Sequence, residues 1–320
     1  MRSTTLTIFL LACALLPATV RAQNDIDPKA REAAAAAAAA RHVSDSLDGL
    51  WQRSGVFSLN MSQTSLSNWS AGGFSSVSGI AMFNGALNRK KGNKAWDNSL
   101  VLAFGGQQIE DGDPVKTDDR IELNSKYGIQ ISDHWYLANV FQFKTQFTEG
   151  FDNSGTRISN LLAPGYALFG VGMDHKPNDK FSIFLSPATA RLVIVTDERL
   201  FGGSDDPDLR VYGVLNGNTN EFELGGYIRF TYTTELAENI TFMTRGDAFS
   251  NYLRNPQNID VTWETLWTFK VNDWFAATVN TLLIYDHDTN LPKTDAEGNT
   301  YLGPATQFKE TLALGLTVKL

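Results

Sequence analysis

Four shortages in the sequence each remove a class of explanation. Cysteine occurs once in 320 residues, as Cys13, so a chain cleaved after residue 22 has no disulfide. Histidine occurs only at positions 42, 134, 175 and 287, which leaves few bases for a hydrolytic triad. Charged residues make up 19% and their balance is acidic, with a net charge of -8 and a pI near 5.1; nucleic acid is not an expected partner. After the first two dozen residues no apolar run approaches the roughly 20 residues that cross a bilayer as a helix. Mean hydropathy is -0.20, which suits a transmembrane barrel, where lumen and lipid residues alternate and cancel.

What the chain does have begins with an export signal. Arg2, an apolar stretch from Leu6 to Leu16, Pro17 and a Val20-Arg21-Ala22 ending read as a secretory signal peptide over 1–22, cleaved before Gln23. Leu10-Leu11-Ala12-Cys13 admits a lipoprotein reading, at the cost of a short apolar core. Residues 23–50 form an alanine-rich leader, with Asp27-Pro28 suited to a cap and first turn and alanines from Ala33 to Ala40. It is expected to be helical, and either a periplasmic spacer or a plug.

From residue 51 to 320 the texture is alternation. In Thr306 to Leu320, Phe308, Leu312, Leu314, Leu316, Val318 and Leu320 share one parity, and Lys309, Thr311, Ala313, Gly315, Thr317 and Lys319 the other. A period of two puts these on opposite faces of a strand. Glu310 is the exception on the apolar parity. Similar segments recur at about 54–66, 73–89, 94–109, 119–132, 134–149, 163–175, 180–199, 220–235, 240–253, 258–271 and 274–286, so an all-β chain of about 12 strands is expected.

The connections are sorted by parity. Tight turns at Lys90-Lys91-Gly92-Asn93, Ser132-Asp133-His134, Pro177-Asn178-Asp179, Ala237-Glu238-Asn239 and Asn272-Asp273 alternate with mostly longer loops at 67–72, 110–118, 150–162, 200–219, 254–257 and 287–305. Short periplasmic turns alternating with longer external loops are the pattern of an outer-membrane antiparallel β-barrel. Trp96, Trp135, Trp274, Phe181 and Phe275 lie beside the short turns, and Phe147 and Tyr252 toward the long loops, as two interfacial girdles require.

A set of motifs occurs in order: Asn68-Trp69-Ser70-Ala71-Gly72-Gly73, Trp96, Lys116-Thr117-Asp118-Asp119, Asn124-Ser125-Lys126-Tyr127-Gly128, Thr145-Gln146-Phe147, Leu162-Ala163-Pro164-Gly165-Tyr166, Leu185-Ser186-Pro187, Phe249-Ser250-Asn251-Tyr252 and Asn258-Ile259-Asp260-Val261. Together they resemble a Bacteroidota family of outer-membrane β-barrels of unknown function, DUF3078, from about Leu50 to the C-terminus. The resemblance implies an outer-membrane barrel of unassigned activity and supplies no catalytic residues.

Function is then expected in the lumen. Arg120, Glu122, Lys126, Lys144, Glu223, Arg229, Arg245, Asp247, Glu264 and Lys270 share the polar parity of their strands and should point inward. They would either pair and rigidify the barrel or select a solute at a constriction. The leading expectation is a monomeric, non-enzymatic narrow channel for a small solute, surrounded by outer-membrane lipid and lipopolysaccharide, with no cofactor or metal. A scaffold for periplasmic or surface partners is the alternative. A third reading, a lipid hydrolase, would rest on His287 with Ser204 or Ser250. Acidic loops containing Glu110, Asp111, Asp113, Asp118 and Asp119, then Asp205, Asp206 and Asp208, then Asp286, Asp288 and Asp295, could hold calcium, but none has the twelve-residue calcium-loop pattern.

Overall fold

The computed structural model of the protein describes residues 49–65, 74–152, 155–178, 180–270, 272, 275–294, 300–316 and 318–319. The signal peptide and alanine-rich leader expected over 1–48 lie outside the described residues, as do Asn68 to Gly73 and Trp274.

Among the described residues, thirteen strands form one antiparallel sheet. They are β1 (Trp51–Thr64), β2 (Ser76–Lys91), β3 (Lys94–Ile109), β4 (Val115–Ser132), β5 (Trp135–Thr145), β6 (Gly165–Asn178), β7 (Phe181–Ile194), β8 (Asn220–Ala237), β9 (Ile240–Asn251), β10 (Ile259–Lys270), β11 (Phe275–Tyr285), β12 (Gln307–Leu316) and the two-residue β13 (Val318–Lys319). Each of the first eleven pairs with the next along the chain, and β13 pairs with β1, setting Val318 opposite Phe57 and Lys319 opposite Val56. The long strands follow the sequence expectation, with shifted ends: β4 starts at Val115, so Asp118 and Asp119 belong to a strand, while β5 and β7 stop at Thr145 and Ile194.

Long and short connections alternate. β2–β3, β4–β5, β6–β7, β8–β9 and β10–β11 are joined by stretches of two to four residues. The other connections, 65–75, 110–114, 146–164, 195–219, 252–258 and 286–306, all lie at the opposite end of the sheet. Three of them carry ribbons of their own, Gly150–Phe151 with Arg157–Ser159, Arg210–Val211 with Val214–Leu215, and Asn290–Thr294 with Thr300–Pro304.

The sheet is inside out. On β8, Glu223 is 1% exposed while its neighbours Phe222 and Leu224 are 56% and 38% exposed. On β10, Glu264, Leu266 and Thr268 are buried between the exposed Trp263, Trp267 and Phe269. The same order holds for Glu122 beside Leu123, and for Gln142 beside Phe141. A water-soluble sheet buries its apolar parity and exposes its charges. Trp96 and Trp135 are exposed at the short-turn rim, and Phe147 and Tyr252 at the long-loop rim.

Contacts across the sheet show how strongly it curls. Arg245 on β9 lies 3.8 Å from Glu122 on β4, five strands away in the sheet order. At about 4.8 Å per strand a flat sheet would hold them about 24 Å apart. Arg229 on β8 likewise donates to Asn124 on β4 at 3.5 Å. An apolar cluster of Ala138, Val140, Leu168, Phe184, Tyr227 and Phe249, from β5 to β9, shares this concave face.

Candidate functional site: a buried polar network on the concave face

Alternation alone places the polar side chains of β4 to β10 on the concave side, and curvature then brings distant strands into contact. Three groups result, stacked from the short turns to the long loops.

Nearest the short turns, Asp174 on β6 is 1% exposed. It accepts from Lys126 at 2.7 Å and from the Ser182 hydroxyl at 2.9 Å, and lies 3.4 Å from Lys176. Lys176 also reaches Asp97 at 3.6 Å. Above Lys126 a cavity of about 40 Å³, lined among others by Asn88, Asp97, Asn124, Ser182 and Arg229, has room for one or two waters.

At mid-height Asp247 accepts from Arg229 at 2.5 Å and from the Tyr227 hydroxyl. Beside it, Arg245 joins Glu264 at 3.0 Å to Glu122, which also accepts from Asn124 at 3.0 Å. Lys144 stands opposite Glu122 in the β4–β5 register. The Nε of Arg120 is buried and makes no hydrogen bond with a described residue. Toward the long loops, Arg191 joins Glu223 to Asp260, the latter at 2.7 Å, and lies 4.1 Å over the Phe249 ring.

Of the ten residues that sequence parity selects, nine therefore face this interior, and Lys270 sits exposed at the last residue of β10. Asp97, Asp174, Lys176, Arg191, Tyr227 and Asp260 complete the network and were not among the ten. Arg191 escapes a parity count because β7 bulges at Pro187 and Ala188, both exposed: Phe184 and Ser186 are buried before it, Thr189 and Val193 after it. Proline, which cannot donate to the ladder, marks such bulges.

Several carboxylates at the long-loop end hold loops together. Asp119 accepts from the backbone N–H groups of Phe147 and Thr148 at 2.6 and 2.9 Å. Asp197 receives Arg199 at 2.7 Å and Asn160 at 2.9 Å, and the Arg199 contacts lead in holding its pKa down from 3.8 to about 2. Burial, with Asp260 next, raises the pKa of Asp286. His287 contacts the Tyr285 hydroxyl at 3.3 Å through Nδ1, while the Ser250 hydroxyl donates to the Pro256 carbonyl at 2.6 Å and the Ser204 hydroxyl accepts from the Asp206 N–H at 3.2 Å. Among the described residues no group of three or more His, Cys, Asp or Glu is placed to hold a metal ion.

Several solved structures align with the chain. The NanC porin has a TM-score of 0.35 at 8% identity, covering 83% of this chain and 100% of its own. The translocator domain of autotransporter NalP from Neisseria meningitidis scores 0.34 at 13% identity, covering 90% and 98%. The β domain of the Bordetella autotransporter BrkA scores 0.28 at 12% identity, covering 84% and 98%. All three TM-scores lie below 0.5. No curated protein matches the chain. Residues 192–303 match the family described as "Protein of unknown function, DUF481". Residues 61–151 match "Protein of unknown function (DUF3078)", the family that the ordered motifs resemble, over a shorter span than Leu50 to the C-terminus.

Proposed function

We propose that the chain is an outer-membrane β-barrel, closed by pairing of its C-terminal residues with β1, which forms a narrow channel for small solutes held shut by the charge network in its lumen. The inverted sheet supports the membrane setting: apolar and aromatic side chains face outward along the strands while carboxylates and guanidinium groups are buried. Short turns then lie in the periplasm and long loops outside, and the chain acts as a monomer surrounded by lipid and lipopolysaccharide.

The observation that carries the channel reading is the Arg245 contact with Glu122 across five strands. Charges inside a membrane protein are expensive to keep, and residues that only fill space can be apolar. Paired charges of both signs form a polar path whose bridges can part. A permanently shut scaffold barrel is the second reading, favoured by the small volume of the cavity beside Lys126.

Planar-bilayer recording separates the two. The wild type is expected to give small or infrequent steps. The double variant Glu122→Ala/Arg245→Ala, which removes one charge of each sign, should give discrete steps several-fold larger, with altered ion selectivity. Silence from both proteins would leave the scaffold reading in place.

A further inference from the structure

The loop 195–219 folds into a body with its own apolar base. Val195, Phe201 and Val214 are buried against Ala163 and Val193, with Leu200, Leu209, Val211, Tyr212 and Tyr166 packed around them. Asp197 caps a short 3-10 turn, Glu198–Phe201, which ends on left-handed Gly202. The far end is a tight hairpin, Arg210–Val211 against Val214–Leu215, turning at Tyr212 and Gly213 with φ of 52° and 83°. Two successive positive φ values belong to a turn that matches the twist of its strands.

That tip meets three other long loops. The Tyr212 hydroxyl donates to the Ile158 carbonyl at 2.7 Å. The Gly213 carbonyl accepts from Arg210 at 2.6 Å and from Arg254, in the β9–β10 loop, at 3.3 Å. Arg254 also donates to Asp288, after β11, at 2.5 Å. Both arginines lie near the Glu221 carboxylate, at 3.5 and 3.6 Å. Loops that follow β7, β9 and β11 thus meet at one point at the long-loop end of the sheet.

We propose that loop 195–219 is a lid over the long-loop mouth of the lumen, latched by Arg254 along its seam with the β9–β10 and β11–β12 loops. The lid rests on the lumen reading above, because only a hollow interior gives it something to cover. Its two margins are unequal. Toward β6 and β7 it is held by buried apolar side chains, which do not release without exposing Val214 and Phe201. Toward β9 and β11 its tip is held by polar, partly exposed contacts centred on one guanidinium, and water competes well for these. The seam is therefore where the mouth opens and the base is its fixed side. Gly213 also fits this role. A Cβ there would lie 3.2 Å from both Arg254 Nη2 and Asp288 Oδ2, so no larger residue leaves the latch undisturbed.

Limited trypsin digestion of the refolded protein in detergent tests the latch. The tip carries Arg210, and Arg199 in the same loop serves as internal reference. Arg254→Ala is expected to raise cleavage after Arg210 about tenfold while cleavage after Arg199 stays constant. Gly213→Val should act in the same direction, and Arg254→Lys should fall between. Unchanged cleavage after Arg210 in both Arg254→Ala and Gly213→Val would overturn the proposal. So would equal increases at both arginines, because the whole loop would then be loosening. The assay needs no pore current, so its failure rejects the lid, whereas electrical silence bears only on the channel reading.

Discussion

Replacing Asp174 with alanine should destabilise the folded protein by about 3–5 kcal/mol, because it strands Lys126 in the interior and leaves Lys176 only its longer contact with Asp97. Asp174 is 1% exposed and accepts from Lys126 and Ser182, with Lys176 3.4 Å away. A pair in water contributes only about 0–1 kcal/mol, so the size of the loss measures how dry the lumen is. The paired variant Asp174→Ala/Lys126→Met, which removes both charges, should recover most of the loss. Equilibrium urea unfolding in detergent or lipid vesicles reads both. A loss below about 1 kcal/mol for Asp174→Ala would mean a wide, watery lumen and would contradict the filled interior.

The second large effect is expected on the opposite face. Phe141, in the middle of β5, is 37% exposed and stands opposite Phe169 in the β5–β6 register. An arginine at a lipid-facing position near the bilayer midplane costs about 2–4 kcal/mol in a transmembrane barrel. A surface substitution in water usually stays within about 0.5 kcal/mol. Phe141→Arg should therefore shift the unfolding midpoint strongly in lipid vesicles, and Phe169→Arg should do the same. A change within about 0.5 kcal/mol at both positions would show this wall facing water.

Much of this could be read from the chain because a strand's period is local. Alternation in Ile121 to Ile131 already separates Arg120, Glu122, Asn124 and Lys126 from Leu123 and Ile129, and loop lengths sort themselves along the sequence. Two kinds of information are not local. A bulge such as that at Pro187 and Ala188 shifts parity within a strand, so that Arg191, two residues before Val193, changes faces; the proline marks an irregularity but does not say how many residues the register shifts. Contacts such as Arg245 with Glu122 depend on the curvature of the whole sheet, which parity within one strand does not encode. The lid shows an intermediate case. Val211-Tyr212-Gly213-Val214 carries a glycine-containing hairpin signal inside a stretch expected to be plain loop, but its latch to Arg254 joins loops that are neighbours only around the mouth.

The outward orientation of the apolar face is the claim from which the channel and the lid follow, and Trp263 reports on it directly. Trp263 is 50% exposed on β10, one residue before the buried Glu264. A variant retaining only this tryptophan, with the other six replaced by phenylalanine, can be reconstituted in vesicles whose phospholipids carry brominated acyl chains. Its fluorescence should be strongly quenched by the brominated chains and little affected by aqueous iodide. Efficient quenching by iodide with none from the lipid would place this face in water and contradict the account.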